Sequence, residues 1–125
     1  MCLSTKMLEP AIAQEDIIVY KWLNEKEGKL YAPYYRHFNY KLNKKYKTFL
    51  FCILGIVNDG FHSIENRITA VFHYARYGCI NKASLFKCVI PKGGEYYKGV
   101  DSTSNNKGFV SDTIIIKRKL IFNLF

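Results

Sequence analysis

Between Asp59 and Gly78 the chain reads DGFHSIENRITAVFHYARYG. The class of the whole protein turns on where a helix begins in it. Ser63 is a favoured N-cap residue, because its hydroxyl can accept a hydrogen bond from a backbone N–H that the first turn leaves without a partner. Glu65 then falls where a carboxylate meets the positive end of the helix dipole. Ile64, Ile68, Val71, Phe72 and Ala75 follow at helical spacing and make one apolar stripe. Gly78 suits the position just past the helix, where a left-handed backbone favours glycine. The pattern predicts a helix over 63–77, with His62 in the turn before it.

Strand signals surround this segment. IIVYKWL, Ile17 to Leu23, is β-branched and aromatic and predicts a central strand. KLYAPYYRHFNYKL, Lys29 to Leu42, is Tyr-rich and broken by Pro33, which predicts a loop with short strand pieces. FLFCILGIV, Phe49 to Val57, is continuously apolar and predicts one or two buried strands, ended by the turn Asn58-Asp59-Gly60. SLFKCVI, Ser84 to Ile90, is a strand stopped by Pro91-Lys92-Gly93-Gly94. Gly99 to Gly108 is a polar loop, and Thr113 to Phe122 closes the chain as a strand or a pair, with Lys117-Arg118-Lys119 exposed. Residues 1–15 look irregular. The sum is an α+β domain, a small mixed or antiparallel twisted sheet with one main helix, in a single domain of 125 residues.

Nearly half of the residues are apolar, which excludes a disordered chain. Lys and Arg outnumber Asp and Glu by 19 to 10, a formal charge of +9. An excess of that size favours acidic partners: nucleic acid, a phosphate-bearing ligand or an acidic protein face. The longest apolar run, 49–57, is less than half of the ~20 residues a helix needs to span a bilayer. The four cysteines form no CxxC pair and have no finger-like histidine spacing, so no structural zinc is implied. The first residues carry no secretory signal pattern, and the expectation is a cytoplasmic protein with reduced thiols.

Two further sets of residues have the right chemistry for a site. Tyr35 and Arg36, followed by Lys44 and Lys45, interleave aromatic and basic groups, a mixture that can stack bases and neutralise phosphates. The same mixture also fits a half-buried β segment whose tyrosines keep their hydroxyls wet. His62 is the better acid–base candidate of the histidines, since imidazole titrates near neutrality and this one borders a turn.

Three segments carry a resemblance in their order along the chain: Val19-Tyr20-Lys21, then Gly60-Phe61-His62-Ser63, then Val89-Ile90-Pro91-Lys92-Gly93 leading to Ser111-Asp112-Thr113-Ile114-Ile115-Ile116. They resemble the sheet motifs of ADP-ribosyltransferase toxins: an early Tyr-Arg pair, a middle Gly-Phe-x-Ser-Thr-Ser, and a late Ile-Pro-Lys-Gly turn leading to Glu-x-Glu. The chain also resembles small proteins of gut bacteria and their phages. The toxin resemblance implies NAD as the ligand, held near Tyr20, Lys21 and Ser63, with Asp112 or Glu95 as the catalytic carboxylate and His62 beside it. The departures bear on the chemistry. Lys21 stands where an Arg would grip two phosphate oxygens at once. Asp112 is one methylene shorter than Glu, and the first Glu of the pair has no counterpart.

Three functions are therefore expected in this order. The first is a non-catalytic binding protein with no cofactor, using a basic Tyr-rich surface against an acidic partner. The second is a divergent ADP-ribosyltransferase-like enzyme or NAD-type nucleotide binder. The third is single-stranded nucleic-acid binding through Tyr35, Arg36, Lys44 and Lys45.

Overall fold

The computed structural model describes residues 3–32, 35–73, 83–101 and 106–120. In chain order the strands are β1 (Leu3–Ser4), β2 (Ala11–Ile12), β3 (Ile17–Lys26), β4 (Lys29–Ala32) and β5 (Tyr35–Tyr40). Then come β6 (Lys45–Lys47), β7 (Phe51–Ile53), β8 (Ile56–Asp59) and β9 (Phe61–Ile64), followed by a helix, α1 (Arg67–His73). The chain continues through β10 (Ala83–Ile90), β11 (Glu95–Asp101), β12 (Lys107–Ser111) and β13 (Thr113–Leu120).

The β-branched and aromatic run beginning at Ile17 forms the spine. β3 pairs along its length with β10, from Ile90↔Ile17 to Ala83↔Asn24, and beyond that it makes a hairpin with β4. On its other side it meets β9 at one position only, Tyr20↔Ile64. The full order is β6-β13-β10-β3-β9-β12-β11-β1-β8-β7, antiparallel throughout. β2 adds to β11, and β5 adds to β4.

This one sheet bends because four chain segments turn the same corner. Ala13 N donates to Gly94 O at 2.8 Å, and Gly93 N to Ala13 O at 2.9 Å. Asp112 N donates to Glu95 O at 2.9 Å, and Thr48 N to Asp112 O at 2.7 Å. Each strand thus passes from one part of the sheet to the next with its backbone groups satisfied. The result is a curled half-barrel. Val19, Leu23, Phe61, Phe86, Cys88, Phe109 and Ile116 fill its inside. On the outside, α1 covers one end of β3 and β10 by packing Ala70 against Leu85, Leu120, Tyr20 and Trp22. A second outer cluster gathers Leu3, Val57, Tyr97 and Val110.

The protein is all-β, which corrects the expected α+β class with a main helix at 63–77. Ser63 does not cap a helix. It lies in β9 opposite Phe109, and its buried neighbour two residues back is Phe61. The strand period of two, Phe61 and Ser63 inward, competes with the helical stripe and wins because β12 offers a full ladder. The cap is Asn66 instead: its Oδ1 accepts from Thr69 N at 2.8 Å, and its carbonyl from Ala70 N at 3.0 Å. Glu65 forms an ion pair with Lys98 at 2.9 Å in place of a dipole contact. Ile68, expected on the buried stripe, is 70% exposed. The expected last turn and Gly78 lie outside the described residues.

The apolar run 49–57 is a surface hairpin rather than a buried strand. Leu54 and Gly55 turn it with φ of 53° and 77°, the left-handed pair that matches the twist of a two-residue hairpin. Val57 is buried, whereas Ile53 and Leu54 face out, Leu54 at 96% exposure. Among the described residues no helix is long and apolar enough to cross a membrane.

Candidate anion-binding face

The alternation of β3 sends Lys21 inward with Val19 and Leu23. Its side chain is only 9% exposed, and Nζ donates to the His62 carbonyl at 2.6 Å. β3 and β9 separate after Tyr20↔Ile64, so the ammonium supplies the donor that a continued ladder would have given that carbonyl. Burial pulls its pKa down to about 8, partly offset by the nearby Cys88 sulfur. Lys21 is engaged inside the sheet, on the carbonyl of the residue that precedes Ser63.

The His62 imidazole, on the opposite face, is also largely buried. Burial first and the Lys21 charge second push its pKa down to about 4, while the carbonyls of Gly60 and Val57 favour protonation. Its Nε2 finds no hydrogen-bond partner among the described residues, and neither do the hydroxyls of Ser63 and Ser111.

Asp112 and Glu95 meet at the corner. The Asp112 Oδ1 accepts from Glu95 N at 2.9 Å and from Thr113 Oγ1 at 2.7 Å. The carboxylate thus holds the bend between β12 and β13. Asp112→Ala should cost about 2 kcal/mol, the worth of hydrogen bonds to a charged group. Asp112→Asn, which keeps an acceptor oxygen, should cost less than half of that in urea unfolding; equal losses for the two variants would contradict the corner role.

The expected residues therefore fall into two groups, Lys21 with His62 and Ser63, and Asp112 with Glu95. Tyr20 belongs to neither, being half-buried under α1. Tyr35 and Arg36 lie in β5 with side chains outside the described residues. Much of the remaining tyrosine-rich segment is packing: Tyr40 is buried edge-on to Tyr46 and Phe61, with centroids 5.2 and 6.2 Å away. Lys44 sits over the Tyr46 ring at 5.4 Å, and Lys45 is exposed.

Lys45 leads to the feature that sequence reading did not assemble. It pairs with Ile115, and Lys47 pairs with Thr113, so both lysines emerge on the outer face of β13. The next residues of β13 carry a bulge: Cys88 faces Ile116 but Lys87 faces Arg118, leaving Lys117 as the extra residue. A bulge of this kind re-aims side chains. Here Lys117 and Arg118 both join Lys87 on the outer side, while Lys119 turns the other way to pair with Glu25 at 3.1 Å.

Lys87, Lys117 and Arg118 line a shallow groove of about 350 Å³, with Ile18 and Val89 on its floor and Asp16 at its rim. Asp16 already accepts from Lys92 N at 2.9 Å. α1 covers the Trp22–Leu85–Leu120 end of this face, and the groove lies at its Ile18–Val89 end. Five cations, Lys45, Lys47, Lys87, Lys117 and Arg118, thus share one solvent-facing surface. Among the described residues none of them is in an ion pair; the pairs present are Lys98–Glu65 and Lys119–Glu25. The signal for Lys87 was available in the sequence, since strand alternation places it opposite to the buried Cys88. The bulge that gathers its neighbours was not.

Among the described residues no three His, Cys, Asp or Glu side chains gather as a metal site. Comparison with known protein families, with curated proteins and with solved structures finds no match to this chain.

Proposed function

We propose that this chain is a non-catalytic binding protein that engages a polyanionic partner through the outer face of β6, β13, β10 and β3. The observation that carries the reading is the set of five cations on one face without ion pairs among the described residues. Like charges this close repel one another, and a bound anion would relieve that repulsion. The positions of Lys21 and Asp112 support binding over catalysis: one satisfies a core carbonyl and the other a chain corner.

Heparin, a polyanion without bases, tests this directly by calorimetry. Binding should be measurable at low salt and weaken steeply as salt rises, because the contacts are solvent-exposed charges. The triple variant Lys45→Glu, Lys87→Glu, Arg118→Glu should bind at least ~10-fold more weakly, with an unchanged fold by circular dichroism. Absence of heat at low salt, or a triple variant that binds like the wild type, would end the reading.

A further inference from the structure

The geometry points to single-stranded nucleic acid as the polyanion, with a backbone phosphate in the Lys87–Lys117–Arg118 groove and a base against the Ile18–Val89–Ile115 floor. This rests on the binding reading above and adds the chemistry of the ligand. Ile115 faces Val89, and Val89 faces Ile18, so one apolar row crosses β13, β10 and β3. The adjacent row is Arg118, Lys87 and Tyr20, cations first and an aromatic last. Ile18 is 49% exposed and lines the same groove as the cations.

The charged and apolar rows thus lie two residues apart along the strands, roughly 7 Å, on a face of four strands about 14 Å wide. A ligand that suits it must offer anionic and apolar surfaces side by side. A single strand does so, since its phosphates and the flat faces of its bases are both free. A duplex keeps its bases stacked inside, and proteins that read it insert a helix, a ribbon or a loop into a groove. This face is strand surface, with the seven-residue α1 packed over its Trp22–Leu85–Leu120 end. A sulfated sugar polymer would satisfy the cations and leave the Ile18 floor wet. Arg118 adds a planar fork that fits two phosphate oxygens, and the two lysines add point charges. The floor is aliphatic, so it covers a base without the full strength of aromatic stacking.

The test is fluorescence anisotropy with a labelled thymidine oligonucleotide of about ten nucleotides, a length within the usual range for one small domain. With all five cations on phosphates, the slope of log K against log salt should approach about −3.5, a roughly 100-fold loss between 50 and 200 mM. The single strand should bind at least ~10-fold tighter than a duplex of equal length. Ile18→Ser should weaken the oligonucleotide several-fold and leave heparin unchanged. Arg118→Ala, an exposed change that leaves the core untouched, should weaken both.

Two outcomes would overturn the inference while the broader reading stands. One is a duplex or polyglutamate bound as tightly as the single strand; the other is an Ile18→Ser variant with full oligonucleotide affinity. No binding of any polyanion at low salt would overturn both.

Discussion

Replacing His62 with leucine should abolish a loss of stability, about 3 kcal/mol, that the wild type suffers as pH falls from 6.5 through 4. The imidazole is held neutral in the fold, with its pKa at about 4 against an ordinary 6.5. A folded-state pKa below the unfolded one means that the unfolded chain binds the proton first as pH falls. The stabilisation is therefore complete above pH 6.5 and is lost as pH drops through 4. Burial is the main cause and the Lys21 ammonium, fixed on the His62 carbonyl, is the second. Leucine at 62 has no proton to take up, and it also removes the buried Nε2 that lacks a partner. At pH 7 the variant should match the wild type or exceed it. Denaturant unfolding at several pH values checks this: the two stability curves should diverge below pH 6.5, and parallel curves would show that His62 does not titrate in this way.

Gly60→Ala should be among the most damaging single-methyl additions in the chain, at about 4 kcal/mol. Gly60 joins β8 to β9 with φ of 131°, a conformation that side-chain-bearing residues avoid. An added Cβ would also collide with Cγ1 of Val110 and stand 2.7 Å from Cδ2 of Leu50, inside the outer cluster. Gly93→Ala separates the two causes. It has a φ of 90° with open space around its Cβ position, so only backbone strain applies and the loss should be nearer 1–2 kcal/mol. Thermal unfolding of the pair should rank Gly60→Ala well below Gly93→Ala; equal melting temperatures would mean that the Val110–Leu50 packing is looser than described.

The parts of this fold that could be read from residues are those set by local pattern. Ile17 to Leu23 announced a central strand, and Ser84 to Ile90 a second strand. The failures came where two local patterns coexist. Residues 61–64 satisfy a helix-entry pattern through Ser63 and a strand pattern through Phe61 and Ser63, and the choice was made by β12, more than forty residues away in sequence. Asn66 is as good a cap as Ser63, so the shift of the helix start left no trace in composition. Phe49 to Val57 looked buried because every residue is apolar, yet only one face of its hairpin meets the core.

The candidate site divides in the same way. Lys21 was legible as a cation on a strand, but its burial depends on a split between β3 and β9 that no local signal marks. Lys45 and Lys117-Arg118 were each visible as basic runs. That they join Lys87 on one surface depends on the pairing of β6 with β13 and on a one-residue bulge.

Where the anion sits is tested most directly by backbone amide chemical shifts during titration with the thymidine oligonucleotide. The largest changes should fall on Ile18, Lys45, Lys87, Val89, Lys117 and Arg118, with little movement at Lys21, Ser63 or the 51–57 hairpin. Changes centred instead on His62, Ser63 and Asp112 would contradict that placement.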